Sequence, residues 1–569
     1  MNAPFVVNAH SARPASATGV ATAYVQPAEW RFVWAVIVGV LIVASLPYLF
    51  AYVTAPPDKQ FMGILVNVPD HAQYFSWFRQ YLTADLAKNL LTPEPNAPIF
   101  FNLLWWLLAK VGALLGWDYA AMFQVLRVTA TVAFLLMLYR LCAWFLDDRL
   151  QRQTAFLIAV FASGFGWLLI VGKYLFGWEY PLPINLLIFI VEPNSFYAML
   201  STPHLTSAAL YMFAFDLMMR GEAKGQLRYA VWAGLFVLFL GFQHAYDLFL
   251  VYGILGAYGL LKTVRDRRLP LFLLRAGLIL GLLSFWPGLY SFLLTLLDPI
   301  WREVLAQFDN AGVFTPNPLL LPVLMGPAFL LALFTLFKDH PLRLAGLDDK
   351  TLFLRAWFWM NALLIYLPTD YQIKMLNGWQ VPIAILATQG LFRYVLPWVE
   401  QLAAARAWRW QDETLRRGLA VVALLCVVPT NLYLYAWRFV DLSRYTYPYY
   451  LSRAELKAMI WLATQAPPDS VVLSSLTLGQ YVPALTGQRA FLAHWAQTVD
   501  YYGKEQKVLE FFDTATSEAR RRAILEEYGV NYVIVGPAER ALSAYEPVPS
   551  TWQVPMHTSG GVTVYQVIR

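Results

Sequence analysis

The chain has 569 residues, of which 59% are hydrophobic and 16% aromatic, while only 14% are charged, against roughly a quarter in soluble domains. So little polar surface cannot enclose a soluble core of this size, which excludes a soluble globular enzyme, a disordered chain and a disulfide-rich secreted scaffold. The net charge of +6 comes from bases lying mostly in short segments between apolar runs, so it signals membrane orientation rather than binding to nucleic acid.

Residues 1–29 are rich in Ala, Val, Ser and Thr and read as a disordered cytoplasmic tail. Apolar runs of spanning length follow at 30–53, 120–146, 155–177, 203–219, 229–243, 246–262, 272–297, 318–337, 352–368, 380–399 and 417–437. They predict a polytopic α-helical membrane protein with about 11 transmembrane helices. Cys142 and Cys426 sit inside such runs and read as small buried hydrophobes. Bases crowd the segments 147–154, 220–228, 262–275, 338–355 and 393–417, whereas the alternate segments carry only Lys59, Arg79, Lys88, Arg302 and Lys374. The positive-inside bias makes the first set cytoplasmic and the second external. The run 99–116 holds Asn102, Trp105, Trp106 and Lys110, and a span there would invert every later loop; it reads as a juxtamembrane helix on the outer surface. The transmembrane domain is thus expected over 30–445, with a first outer loop at 54–119. From 446 to 569, polar helical patterns alternate with strand-like runs (471–475, 489–493, 532–536 and 562–568), predicting a small extracytoplasmic α/β domain.

Candidate chemistry gathers at the outer boundary. Asp70 and His71 open an aromatic segment containing Tyr74, Phe75, Trp77 and Phe78. A carboxylate there suits proton abstraction from a hydroxyl or cation coordination, and its position after Pro69 equally suits an N-cap for a 71–82 helix. Glu192, His204, His244 and Asp247 lie at helix ends on the same side; they read either as ligands for a metal or an anionic head group, or as boundary residues bonded to loop carbonyls. Lys374, in PTDYQIKMLNGWQVP (368–382), reads either as a holder of lipid-linked phosphate or as a snorkelling cation. His494 reads either as lining a cleft above the membrane or as a surface histidine. There is no P-loop, dinucleotide fingerprint or Ser-His-Asp signature.

At these residues the chain resembles the GT-C superfamily of integral-membrane glycosyltransferases, which includes protein O-mannosyltransferases, the lipid A aminoarabinose transferase and oligosaccharyltransferase catalytic subunits. The resemblance is carried by Asp70 with Tyr74, by EPNAPIFFNLLWWLLAKVGALLGW (94–117), by Arg127 in QVLRVTATVAFLLMLYRL and by YQIKMLNGWQVPIAILATQGL (371–391). SRAELKAMIWLATQAPPDSVVLSS is similar to the start of the extracytoplasmic domain in oligosaccharyltransferase-like members. The WWDYG motif of oligosaccharyltransferases is absent, LTLGQYV (476–482) occupying the comparable stretch, which argues against sequon glycosylation. The second acidic position of many members is here Thr202-Pro203-His204.

The resemblance implies an inverting transferase of a bacterial inner membrane, fed by a polyprenyl-phosphate sugar and acting on a lipid, glycan or protein acceptor at the outer face. It implies Asp70 as general base, and Lys374, with Arg79 and Lys88, as the phosphate-binding group. His71, Tyr74, Glu192, His204, His244, Asp247 and Gln380 would line the substrate site, and Asp70, Glu192 and His204 would hold a divalent cation (Mg or Mn) if one is used. Two other classes remain open: a transporter or flippase of a lipid-linked saccharide, and a non-catalytic GT-C-fold subunit of a membrane complex.

Overall fold

The computed structural model describes residues 25–180, 188, 190–311, 314–340, 343–406, 412–548, 550 and 552–568. The expected N-terminal tail falls outside them up to residue 24. The first five helices are α1 (Pro27–Thr54), α2 (Val68–Tyr81), α3 (Leu103–Leu115), α4 (Tyr119–Phe145) and α5 (Arg149–Phe161). Helix α1 begins with Pro27 in its first turn, and the Gln26 backbone N–H donates to Glu29 Oε1 at 3.1 Å, which satisfies one of the free amides of a helix start. Its 28 residues rise about 42 Å, enough to cross a bilayer.

The expectation of eleven spans is overturned. Among the described residues, four helices are long and apolar enough to cross a membrane: α1, α4, Asp247–Asp266 and Leu321–Lys338. Three bent pairs raise the number to seven if each counts as one span: α5 with Gly166–Phe176, Leu271–Ser284 with Trp286–Leu297, and Asp412–Val427 with Pro429–Leu442, bent by 51°, 45° and 48°. Hydropathy overcounts because it registers apolarity without asking what covers it. The runs at 203–219 and 380–399 are apolar because they are packed inside the protein: Pro203–Ala208 is buried throughout, as are Gln380 to Thr388. The runs at 229–243 and 352–368 form helices of 16 residues, Arg228–Gln243 and Asp349–Leu364, whose rise of about 24 Å falls short of a hydrocarbon core of about 30 Å.

Backbone crowding explains the bend after α5. A Cβ on Gly164 would lie 2.1 Å from the Leu324 carbonyl oxygen, and one on Gly326 would lie 2.5 Å from that of Ser163. Only glycines let the two chains cross this closely, and Gly326, at φ +72°, also kinks Leu321–Lys338.

Strand β1 (Lys59–Phe61), just beyond α1, pairs antiparallel with β2 (Tyr450–Ser452) at the start of the C-terminal domain. The domain therefore sits at the end of α1 opposite Glu29, which Tyr139 and Arg152 hold at 2.6 and 3.3 Å. Its five-stranded sheet has the order β4-β3-β5-β7-β6. The strands are β3 (Val471–Leu473), β4 (Arg489–Ala490), β5 (Val530–Val535), β6 (Gln553–Ser559) and β7 (Val562–Val567). β4, β3 and β5 are parallel, and β7 and β6 continue the sheet antiparallel. Gly560 and Gly561, both at positive φ, turn the β6–β7 hairpin. The polar segment 517–529 forms the helix Glu518–Glu527, capped by Ser517. A polytopic helical region carrying a small sheet-containing domain is consistent with a multi-pass membrane protein.

Candidate functional site

Helix α2 starts three residues earlier than the N-cap reading of Asp70 requires. Asn67, at φ +52°, is the N-cap and Pro69 lies in the first turn, so Asp70 is inside the helix. Near a helix N-terminus a carboxylate is favoured by the helix dipole. Asp70 Oδ1 is 3.2 Å from His494 Nε2 of the C-terminal domain, and its Oδ2 has no hydrogen bond among the described residues. The carboxylate stays partly open, with the side chain 21% exposed.

His71 and Tyr74 occupy the same end of α2. His71 is buried, Nδ1 facing the Asn67 carbonyl at 2.8 Å, and burial lowers its pKa, which favours the neutral ring. Tyr74 stacks on Trp105 of α3, ring centroids 4.9 Å apart, and meets His204 edge-on at 5.0 Å. Buried His71 Nε2 and His204 Nδ1 find no hydrogen-bond partner among the described residues.

The basic side of the site comes from the short 3-10 helix Gln372–Leu376. Lys374 Nζ donates to Glu192 Oε1 at 2.9 Å, a pair in which the glutamate is only 5% exposed. Burial pulls the ammonium pKa down, but the carboxylates of Glu192 and Asp70 outweigh it and hold Lys374 above its ordinary value. Burial likewise pushes Asp70 up, and the His494 hydrogen bond together with the Lys374 charge reverses this, holding the carboxyl below its usual range. Tyr246 feels both Lys374 and Asp70 and packs on Tyr371, centroids 4.6 Å apart. Asp70, His71, Tyr74, Glu192, His204 and Lys374 thus converge on one locality from four stretches of chain.

The other candidates lie around or away from it. His244 pairs with Asp247 at 3.1 Å, and the preceding Gln243 donates to the His204 carbonyl at 3.1 Å. Gln380 donates to Ser195 Oγ at 3.0 Å, while its buried Oε1 has no partner among the described residues. It lines a small cavity of about 30 Å³ with Pro193, Asn194, Ser163 and Leu324. Lys88 pairs with Asp469 at 2.6 Å, and Arg79 lies against Gly487, where an added Cβ would be 3.0 Å from Nε; nine residues along α2, it is about 13 Å from Asp70.

Among the described residues, no group of three or more His, Cys, Asp or Glu side chains is arranged to hold a metal ion. In this arrangement Asp70 and Glu192 each engage a nitrogen, and the Lys374 ammonium lies beside them. Sequence reasoning left out Tyr246 and Trp105 and did not join His494 to Asp70. Tyr246 was within reach, lying between His244 and Asp247; nothing local links His494 to a residue 424 positions away.

A family of unknown function (DUF6541) matches residues 376–566, and no curated protein is detectably similar in sequence. Among solved structures, the oligosaccharyltransferase AglB of the archaeon Archaeoglobus fulgidus, in complex with an inhibitory peptide and a dolichol-phosphate, is 13% identical with a TM-score of 0.52, over 89% of this chain and 69% of that one. The apo form of that oligosaccharyltransferase gives 13% and 0.52 over 88% and 69%. ArnT from Cupriavidus metallidurans bound to undecaprenyl phosphate is 12% identical over 95% of this chain and 98% of that one, with a TM-score of 0.48. The chain shares the fold of the archaeal membrane oligosaccharyltransferase.

Proposed function

We propose that the protein is an inverting glycosyltransferase that takes a sugar from a polyprenyl-phosphate carrier and transfers it to an acceptor hydroxyl at the outer face of the membrane. One observation carries this reading: an anchored carboxylate with a free oxygen, Asp70, lies near a half-buried ammonium, Lys374, among histidine and tyrosine side chains. The two groups match the two needs of glycosyl transfer. The acceptor oxygen attacks the anomeric carbon while Asp70 Oδ2 takes its proton, and the bond from that carbon to the phosphate oxygen breaks. The electron pair leaves with the polyprenyl phosphate, and Lys374 stabilises the growing negative charge. Glu192 keeps the ammonium charged and oriented, and His71, Tyr74, His204 and Tyr246 bound the space for the sugar. The archaeal oligosaccharyltransferase of this fold is solved with a dolichol-phosphate bound, which supports a lipid phosphate as the carrier here. No step is routed through a metal.

The three bent helix pairs favour a second reading, a transporter of a lipid-linked saccharide, because interrupted helices line many transport pathways. Reconstitution separates the two. Liposomes carrying the protein and polyprenyl-phosphate hexoses are expected to release free polyprenyl phosphate and form a glycosylated acceptor from supplied envelope extract. Movement of the intact lipid-linked sugar between leaflets, without cleavage of the sugar–phosphate bond, contradicts the transferase reading.

A further inference from the structure

The turn carrying His494 is fastened from several sides. The backbone amides of Ala493 and His494 both donate to Thr498 Oγ1 at 3.0 Å, and that hydroxyl donates to the Leu91 carbonyl at 2.6 Å. Asn89 donates to the Gln497 carbonyl at 2.8 Å, and the Val499 amide donates to Thr92 Oγ1 at 3.1 Å. From a third segment, Gln307 donates to the carbonyls of Ala496 and Thr498 at 3.2 and 3.0 Å, and Asn310 to that of Trp495 at 3.0 Å. His494 itself is 2% exposed.

The ring is fixed as firmly as the turn. The amides of Ala496 and Gln497 point at Nδ1 from 3.0 and 3.2 Å. Both are donors, so Nδ1 accepts and carries no proton; the remaining proton is on Nε2, which donates to Asp70 Oδ1 at 3.2 Å. With both nitrogens engaged, His494 has no free lone pair for an acceptor proton and is not itself the base. Its hydrogen bond occupies one oxygen of Asp70 and leaves the other free. Among the described residues, no other side chain makes a hydrogen bond to this carboxylate; Lys374, His71, Tyr74, Tyr246 and His204 act on it through space.

We infer that His494 is a positioning residue supplied by the C-terminal domain, which orients Asp70 so that Oδ2 faces the acceptor, and that the site is complete only when that domain is docked on the first outer loop. The inference rests on the reading of Asp70 as the base. A ring that only fills space and a ring that aims a carboxylate make different demands on a replacement: the first needs bulk, the second needs an N–H at the Nε2 position.

The test uses the full-length protein in proteoliposomes with radiolabelled polyprenyl-phosphate hexoses. Without the hydrogen bond, H494L is expected to lower kcat on the order of 10- to 100-fold, the cost of a misaimed catalytic group, with the KM for the lipid donor unchanged. H494Q, whose side-chain amide reaches the Nε2 position, is expected to recover most of the rate, whereas H494N, whose amide stops short, is not. In a D70N background H494L is expected to cost nothing further. Equal rates for H494Q and H494N, each folded by melting profile, would overturn the inference, as would a cost of H494L that persists in D70N. If H494L does not fold, the Gln and Asn pair still decides. Full transfer by D70N removes the base reading and this inference with it; an inactive D70N beside fully active H494L and H494N removes the inference alone.

Discussion

Replacing Lys374 by Met separates what the Lys374–Glu192 pair does for stability from what it does for chemistry. At 2.9 Å the attraction between the two charges is about 6 kcal/mol at an effective dielectric of 20. Desolvation of the nearly buried glutamate offsets much of it, so the intact pair contributes little net stability. Removing only the lysine is a different perturbation. It strands a carboxylate that is 5% exposed, and such half-broken buried pairs cost about 3–5 kcal/mol. We take the lower end, about 3 kcal/mol, because the lysine side chain is 27% exposed and solvent softens its loss. E192Q strands less, since the ammonium keeps Asp70 as a neighbour. The order of melting midpoints in detergent is therefore wild type, then E192Q, then K374M, with K374M/E192Q recovering to near E192Q. Transfer follows another order. K374M and the double variant are both expected to lose about 100- to 1,000-fold in kcat, the usual cost of removing one group that stabilises a developing anion. A double variant that regains stability and transfers at the wild-type rate would refute the role of Lys374; one no more stable than K374M would refute the ion-pair reasoning.

Three further outcomes follow from the same geometry. The Asp70 pKa stands at about 2 against an ordinary 3.8; because the folded value is the lower, the associated stability is full above about pH 4 and is lost as pH falls toward 2. The acid limb of kcat/KM for the transferase should accordingly lie below pH 4, and a limb centred near pH 6 would contradict a carboxylate held ionised. Gly378 has φ +80°, and a Cβ there would fall 1.8 Å from Tyr211 Oη, so G378A should lower the melting midpoint by the equivalent of about 2 kcal/mol or more; adding Y211F should return part of that loss, and no recovery would place the cost elsewhere. Because the ammonium of Lys374 already supplies positive charge beside Glu192 and Asp70, transfer should continue undiminished in EDTA, and activity lost to a chelator and restored by Mg or Mn would put a metal on Asp70.

What was legible in the sequence depended on how local its physical cause is. The strands at 471–475, 532–536 and 562–568 announce themselves by short β-branched runs, and Val471–Leu473, Val530–Val535 and Val562–Val567 form there. The strand Gln553–Ser559 was missed because its face pattern is broken by Pro555 and it is held by its hairpin partner. The convergence of acid, histidine and base at one boundary could be guessed from their scarcity in an apolar chain. The pairings within it could not: Lys374 meets Glu192 across 182 positions, and the shared contact exists only after the helices pack. The number of spans failed for a related reason. Apolarity marks a segment for removal from water, and in Gln380–Gly390 the protein's own interior, not lipid, supplies the cover.

The central claim is that Asp70 accepts the proton of the attacking hydroxyl. The most direct measurement compares purified wild-type protein with D70N, matched for melting profile, in sugar transfer from a polyprenyl-phosphate hexose. The account predicts that D70N still binds the lipid donor but transfers on the order of 100-fold more slowly or worse; wild-type turnover by a folded D70N would contradict it.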